Sequence, residues 1–144
     1  MIPHAPEALR MLSQRMLTQL VPDAKTNYSM SDGMLLGLLL GGLVNELDQG
    51  IERRLEDIRA MKAVFRSAQQ SLGADALPNG VEEILDLEPE TMTMKDVNSV
   101  HDTHTGWLIA LHDRVDGADG EAGKINHAIW RYLGQHAVRH ALDI

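Results

Sequence analysis

The chain has 144 residues, no cysteine and a formal net charge of −8. Its length suits one domain with a core that needs no covalent staple, and the missing thiols exclude disulfides and thiolate metal sites. The acidic balance argues against nucleic acid, whose phosphates require a basic surface.

Met1-Ile-Pro-His-Ala-Pro-Glu7 has neither the basic start nor the apolar core of a secretory signal. The most apolar run, Met34 to Val44, falls short of the ~18 residues that a membrane span requires. A soluble cytoplasmic protein with no membrane contact is therefore expected. Aromatic residues make up only 3% of the chain and apolar residues recur at helical rather than alternating spacing, which predicts an all-α fold.

In chain order, Leu9, Leu12, Met16 and Leu20 define one face of a first helix over 7–20, with Pro22 just beyond its end. A second helix is predicted over 30–72. Ser29 with Asp32 resembles a capping box at its start, and Gly73 supplies a left-handed residue at its end. Val44, Leu47, Ile51, Ile58, Met61, Phe65, Ala68 and Leu72 follow a 3-4 alternation, a coiled-coil-like seam interrupted at Arg54. Arg53 with Asp57, and Glu56 with Arg59, read as outer charge pairs worth a few tenths of a kcal/mol each.

A straight helix of this length would run ~64 Å, against a diameter of roughly 40 Å for a compact domain. It must bend at Gly41-Gly42 or Gly50, or extend beyond its own domain and meet a partner. Gly37 and Gly41 lie one turn apart and would admit a close helix.

Residues 74–92 read as a loop with at most two helical turns, given Pro78, Asn79-Gly80 and Pro89. Between Asp75 and Asp102 eight acidic residues face a single Lys95. Such a stretch is ordinarily solvated surface; the alternative is docking on the basic 53–66 segment of the long helix. A third helix is expected after Thr93, capped with Asp96, with Met94, Val97, His101, His104, Leu108, Leu111 and Val115 inward. A break at Asp116-Gly117 precedes a fourth helix over 121–142, with Ile125, Ile129, Leu133, Ala137 and Ile144 on its apolar side.

Histidine is the one unusual chemical resource. His101 and His104 share the seam of the third helix, and His136 and His140 stand i, i+4 on the fourth. In an antiparallel hairpin the two pairs would sit at the same end. Four imidazoles would then converge as a divalent-metal site, with Glu46 or Asp48 as carboxylate company. The structural alternative is a set of seam histidines satisfied by backbone or acid, and a pair favoured by the dipole at a helix C-terminus. The Glu-x-x-His pairs of di-iron bundles are absent. Ser99 and His101 point about 200° apart around a helix and cannot act as nucleophile and base. Asp116-Gly-Ala-Asp119-Gly-Glu121 lacks the alternating acids of a calcium loop. Trp107 and Trp130 read as helix-packing residues.

The expectation is a four-helix antiparallel bundle in one domain over 1–144, non-enzymatic and without catalytic residues or a required cofactor. Its long helix is expected to mediate self-association, as a homodimer, or to bind a helical protein partner. The interface would use Leu36, Gly37, Leu40, Gly41, Leu43, Val44 and Leu47. The alternative is a metal- or small-ligand-binding bundle, an enzyme among the options, at His101, His104, His136 and His140.

Overall fold

The computed structural model describes residues 4–141. The fold is all-α, with no strand among the described residues. It comprises α1 (Ala5–Arg15) continuing into a π turn (Met16–Leu20), α2 (Asn27–Leu72), a 3-10 turn (Ala74–Ala76), α3 (Val81–Asp86), α4 (Met94–Val115) and α5 (Gly120–Arg139). The chain divides into two compact units at Gly50, each of which includes part of the 46-residue α2.

Helix α2 begins three residues before its expected start. Thr26 accepts a hydrogen bond from the Ser29 N–H at 3.1 Å, and the two hydroxyls lie 2.8 Å apart. Thr26 thus supplies the side-chain cap expected of Ser29. Helical structure carries through Gly41-Gly42 and Gly50 without a break.

In the N-terminal unit, α1 packs on the first half of α2. The Ser13 hydroxyl donates to the Gly37 carbonyl at 2.8 Å, and a Cβ on Gly37 would meet Leu17 at 2.5 Å. Gly33 receives Val21 in the same way. The Val21 N–H bonds the Met16 carbonyl at 2.9 Å, an i→i+5 closure that sets Leu17 and Val21 against the two glycines. The close approach anticipated at Gly37 and Gly41 is therefore taken up by α1 of the same chain. Gly37→Val is expected to destabilise this helix pair by about 1–3 kcal/mol, read as faster amide exchange across residues 5–20.

In the C-terminal unit, the second half of α2 supplies Ile58, Met61, Phe65 and Ala68 to a core shared with Leu108 and Leu111 of α4 and Ile125 and Ile129 of α5. The seam read from the sequence holds here. The α4 cap forms as expected: Thr93 accepts from the Asp96 N–H at 3.3 Å. Helices α4 and α5 are antiparallel, since His112 meets Trp130 while His101 meets His136. Helices α2 and α4 run in the same direction, because Asp57 meets His101 and Phe65 meets Trp107.

That parallel pair departs from an up-and-down order. It is possible because residues 73–93 carry the chain back along the unit. Leu77, Val81 and Ile84 of this return segment are buried in the core. Its acidic side also reaches α2, where Glu88 pairs with the buried Lys62 at 2.5 Å, so the acidic stretch is partly docked rather than wholly solvated.

The end of α5 differs from its expected face. Tyr132 is buried, whereas Leu133 and Ala137 are exposed; Ile144 lies outside the described residues. The polar residues His136, Arg139 and His140 turn inward instead, toward a charge on α2.

Candidate functional site: a carboxylate ringed by bases

That charge is Asp57. It was expected on the outer face of the long helix, yet it is fully buried. A lone carboxylate removed from water is costly unless paired and hydrogen-bonded, and here α5 supplies the partners from its last turn and a half. Arg139 Nε donates to Oδ1 at 2.8 Å, with Nη2 2.7 Å from the same oxygen. The other oxygen, Oδ2, faces imidazoles: His140 Nε2 at 2.6 Å, His136 Nδ1 at 3.0 Å and His101 Nε2 of α4 at 3.5 Å.

The rings are themselves stacked. His136 lies 4.4 Å from His140 and 6.2 Å from His101 between centroids, with Tyr132 5.8 Å away on another side. Arg139 passes 6.0 Å over the Tyr132 ring, a cation–π distance that helps hold the guanidinium in place. Burial raises the Asp57 pKa, but the close approach of His101, the hydrogen bonds from His140 and Arg139 and the charge of His136 outweigh it. The carboxyl is held well below the usual range and is ionised. Burial and the neighbouring Asp57 charge push the Tyr132 hydroxyl up beyond its ordinary range.

Three of the four histidines considered from sequence thus converge, and His104 does not. One turn along α4, it is fully buried beside Phe65, 6.1 Å between ring centroids, and its Nδ1 bonds the Val100 carbonyl at 2.8 Å. His104 is a core residue because its face of α4 meets Phe65 and Lys62 rather than Asp57. The carboxylates suggested as company are elsewhere too. Asp48 pairs with Arg10 at 3.2 Å in the N-terminal unit, and Glu46 belongs to that same unit. Asp57 was missed because its spacing from Arg53 matches a surface ion pair. The available signal was that it falls one residue before the seam residue Ile58, at the level where α5 concentrates its bases.

His104 carries a pH consequence. Burial lowers its pKa below the ordinary value, with opposing help from the Val100 carbonyl. The unfolded chain then binds a proton that the folded chain resists. Stability from this residue is full above pH ~6.5 and is lost as pH falls below that toward the folded-state pKa. We expect the urea midpoint to drop between pH 7 and 5. In His104→Phe the slope should shrink by at most ~1.4 kcal/mol per pH unit.

The tryptophans serve packing. Trp107 meets Phe65 edge-on at 4.3 Å, while the exposed Trp130 contacts His112 at 5.6 Å.

The second unusual feature is the outward surface of the N-terminal unit. Leu35, Leu36, Leu38, Leu39, Leu43 and Leu47 are each about half exposed. Of the residues expected at an interface, Leu36, Leu43 and Leu47 are exposed and Leu40 partly so, whereas Gly37 and Val44 are buried and a Cβ on Gly41 would lie 3.5 Å from the Ser13 hydroxyl. Helix α2 is long and apolar enough to cross a membrane by length and composition, and only 11% of its most apolar 18-residue window is buried. Its charge-free stretch, however, runs only from Gly33 to Asn45 between Asp32 and Glu46. That is about 20 Å of helix, against a hydrocarbon core of ~30 Å.

Comparison with family models, curated proteins and solved structures finds no match to this chain.

Proposed function

We propose that this protein is a non-catalytic self-association module in which the N-terminal helix pair joins that of a second copy. One observation carries the reading: the exposed leucines spread over roughly half of the circumference of α2, while α1 covers the glycine side. An all-round apolar helix belongs in an interior, and a patch of this kind on a soluble unit marks a contact surface. The short charge-free length favours a protein partner over lipid.

A two-fold pairing brings the same leucines from both copies together. Covering the exposed half of each leucine is worth roughly 1 kcal/mol. Counted on both copies this reaches roughly 12 kcal/mol, the same order as the ~4–15 kcal/mol that association costs. The expected dimer is therefore micromolar rather than nanomolar. Helix pairs meeting this way would form a four-helix arrangement between chains.

Sedimentation equilibrium of the full chain between about 1 and 100 μM tests this, with a monomer–dimer equilibrium as the expected result. A monomer throughout that range would overturn it, as would flotation with phosphatidylcholine vesicles in place of self-association.

A further inference from the structure

We propose that Asp57, His101, His136 and His140 form a binding site for one divalent transition-metal ion of the zinc class. This site belongs to the C-terminal unit alone and does not depend on the association reading.

The donor set is the first argument. Three imidazole nitrogens and one carboxylate oxygen suit zinc and its neighbours, while calcium and magnesium take oxygen cages. The second is geometry. With bonds of ~2.0–2.1 Å, the donors of a tetrahedral zinc site stand about 3.3 Å apart. Around Asp57 Oδ2 the imidazole nitrogens lie at 2.6, 3.0 and 3.5 Å. One donor atom each from Asp57, His136 and His140 falls within 4.8 Å of the other two. His101 stands outside that closest group and joins it through its 3.5 Å approach to Asp57; His136 and His140 lie at the end of α5 on a partly open face, where their rings can shift outward around an ion.

The carboxylate is already divided between two tasks. Arg139 occupies Oδ1 and leaves Oδ2 as a single-oxygen donor, the division found where a hydrogen-bonding neighbour orients a metal carboxylate. His101 has the matching arrangement. Its Nδ1 faces the Asp102 carboxylate at 3.7 Å, and its Nε2 is a buried nitrogen, 3.5 Å from Asp57, with no hydrogen-bond partner. A buried imidazole nitrogen with no partner, facing the same carboxylate oxygen as His136 and His140, is a donor that a bound ion would satisfy.

Charge does not forbid the ion. The Asp57–Arg139 pair is neutral overall, so the site resembles a three-histidine zinc site, which binds its ion without an anionic protein ligand. His136 is about one third exposed and His140 one quarter, which gives an ion a route in.

The test is titration of the untagged full chain, first stripped with chelator, with Co²⁺ and then Zn²⁺. The expected result is one equivalent of Co²⁺ per chain with the intense visible absorption of a tetrahedral ion, abolished on displacement by Zn²⁺. His136→Gln and His140→Gln should each weaken binding by at least ~100-fold, beyond the 10–100-fold typical of residues that only hydrogen-bond to a metal ligand. His101→Gln is the discriminating variant. Its Nε2 makes no hydrogen bond, so the fold should survive its loss while metal affinity falls. The exposed His127 is the control, and His127→Gln should bind as the parent does. No saturable binding, a six-coordinate Co²⁺ spectrum, or full affinity in His101→Gln would overturn the proposal.

Discussion

Replacing Asp57 with alanine is expected to cost about 3–5 kcal/mol, because it leaves the Arg139 guanidinium beside three imidazoles with no counter-charge in a buried position. A urea titration at pH 7 followed by circular dichroism measures this. Asp57→Asn should lose most of the same amount, since an amide keeps the shape but not the charge. The paired change Asp57→Leu with Arg139→Met should recover much of the loss, because a buried ion pair exchanged for apolar groups of similar volume is often close to neutral. The acid limb has a definite sign. The folded-state pKa of Asp57 lies below its unfolded value. Its contribution is therefore present above pH ~4 and is lost as pH falls below that. In Asp57→Asn that limb should disappear, while the change below pH ~6.5 from His104 persists.

The second large effect concerns association. Leu39→Lys places a charge on a side chain that is 56% exposed in the single chain. A substitution at such a surface position should alter unfolding by less than ~0.5 kcal/mol. In a two-fold dimer the same lysine enters the contact twice, so the dissociation constant should rise by ~100-fold or more. Ile109, equally exposed but on α4, supplies the control: Ile109→Lys should leave the sedimentation profile unchanged. An unaltered dimer in Leu39→Lys would remove this face of α2 from the interface.

A position of this fold is legible in the sequence where local pattern decides it and illegible where distant charge does. Thr93, Gly73 and the seam from Ile58 to Leu72 follow from spacing and capping alone, because those forces act within a turn or two. The convergence of His101, His136 and His140 also followed from placing two helices antiparallel. The hub of that convergence did not. Asp57 carries a surface-like pattern, and only the third dimension shows that Arg139 reaches it from 82 residues away. The same charge explains why the apolar phase of α5 fails at its end. Hydrophobic periodicity places Leu133 and Ala137 inward, but a buried carboxylate outbids two modest apolar contacts. Gly37 was legible as a point of close approach, but not which helix would approach: residue size records the notch, whereas its occupant, Leu17, depends on the α1 turn.

The hydrogen bonds around Asp57 join positions 79 to 83 residues apart in the chain. Such distant closures form late, because the loop entropy must be overcome before any contact rewards it. During synthesis, α2 emerges with its carboxylate unmatched, and the bases that match it follow only at the end of α5. A chain cut short near residue 135 would retain nearly all of the apolar core and still carry an unneutralised charge within it. Burial of Asp57 is thus coupled to completion of α5, which makes the last turn of that helix the step at which the charge on α2 is neutralised.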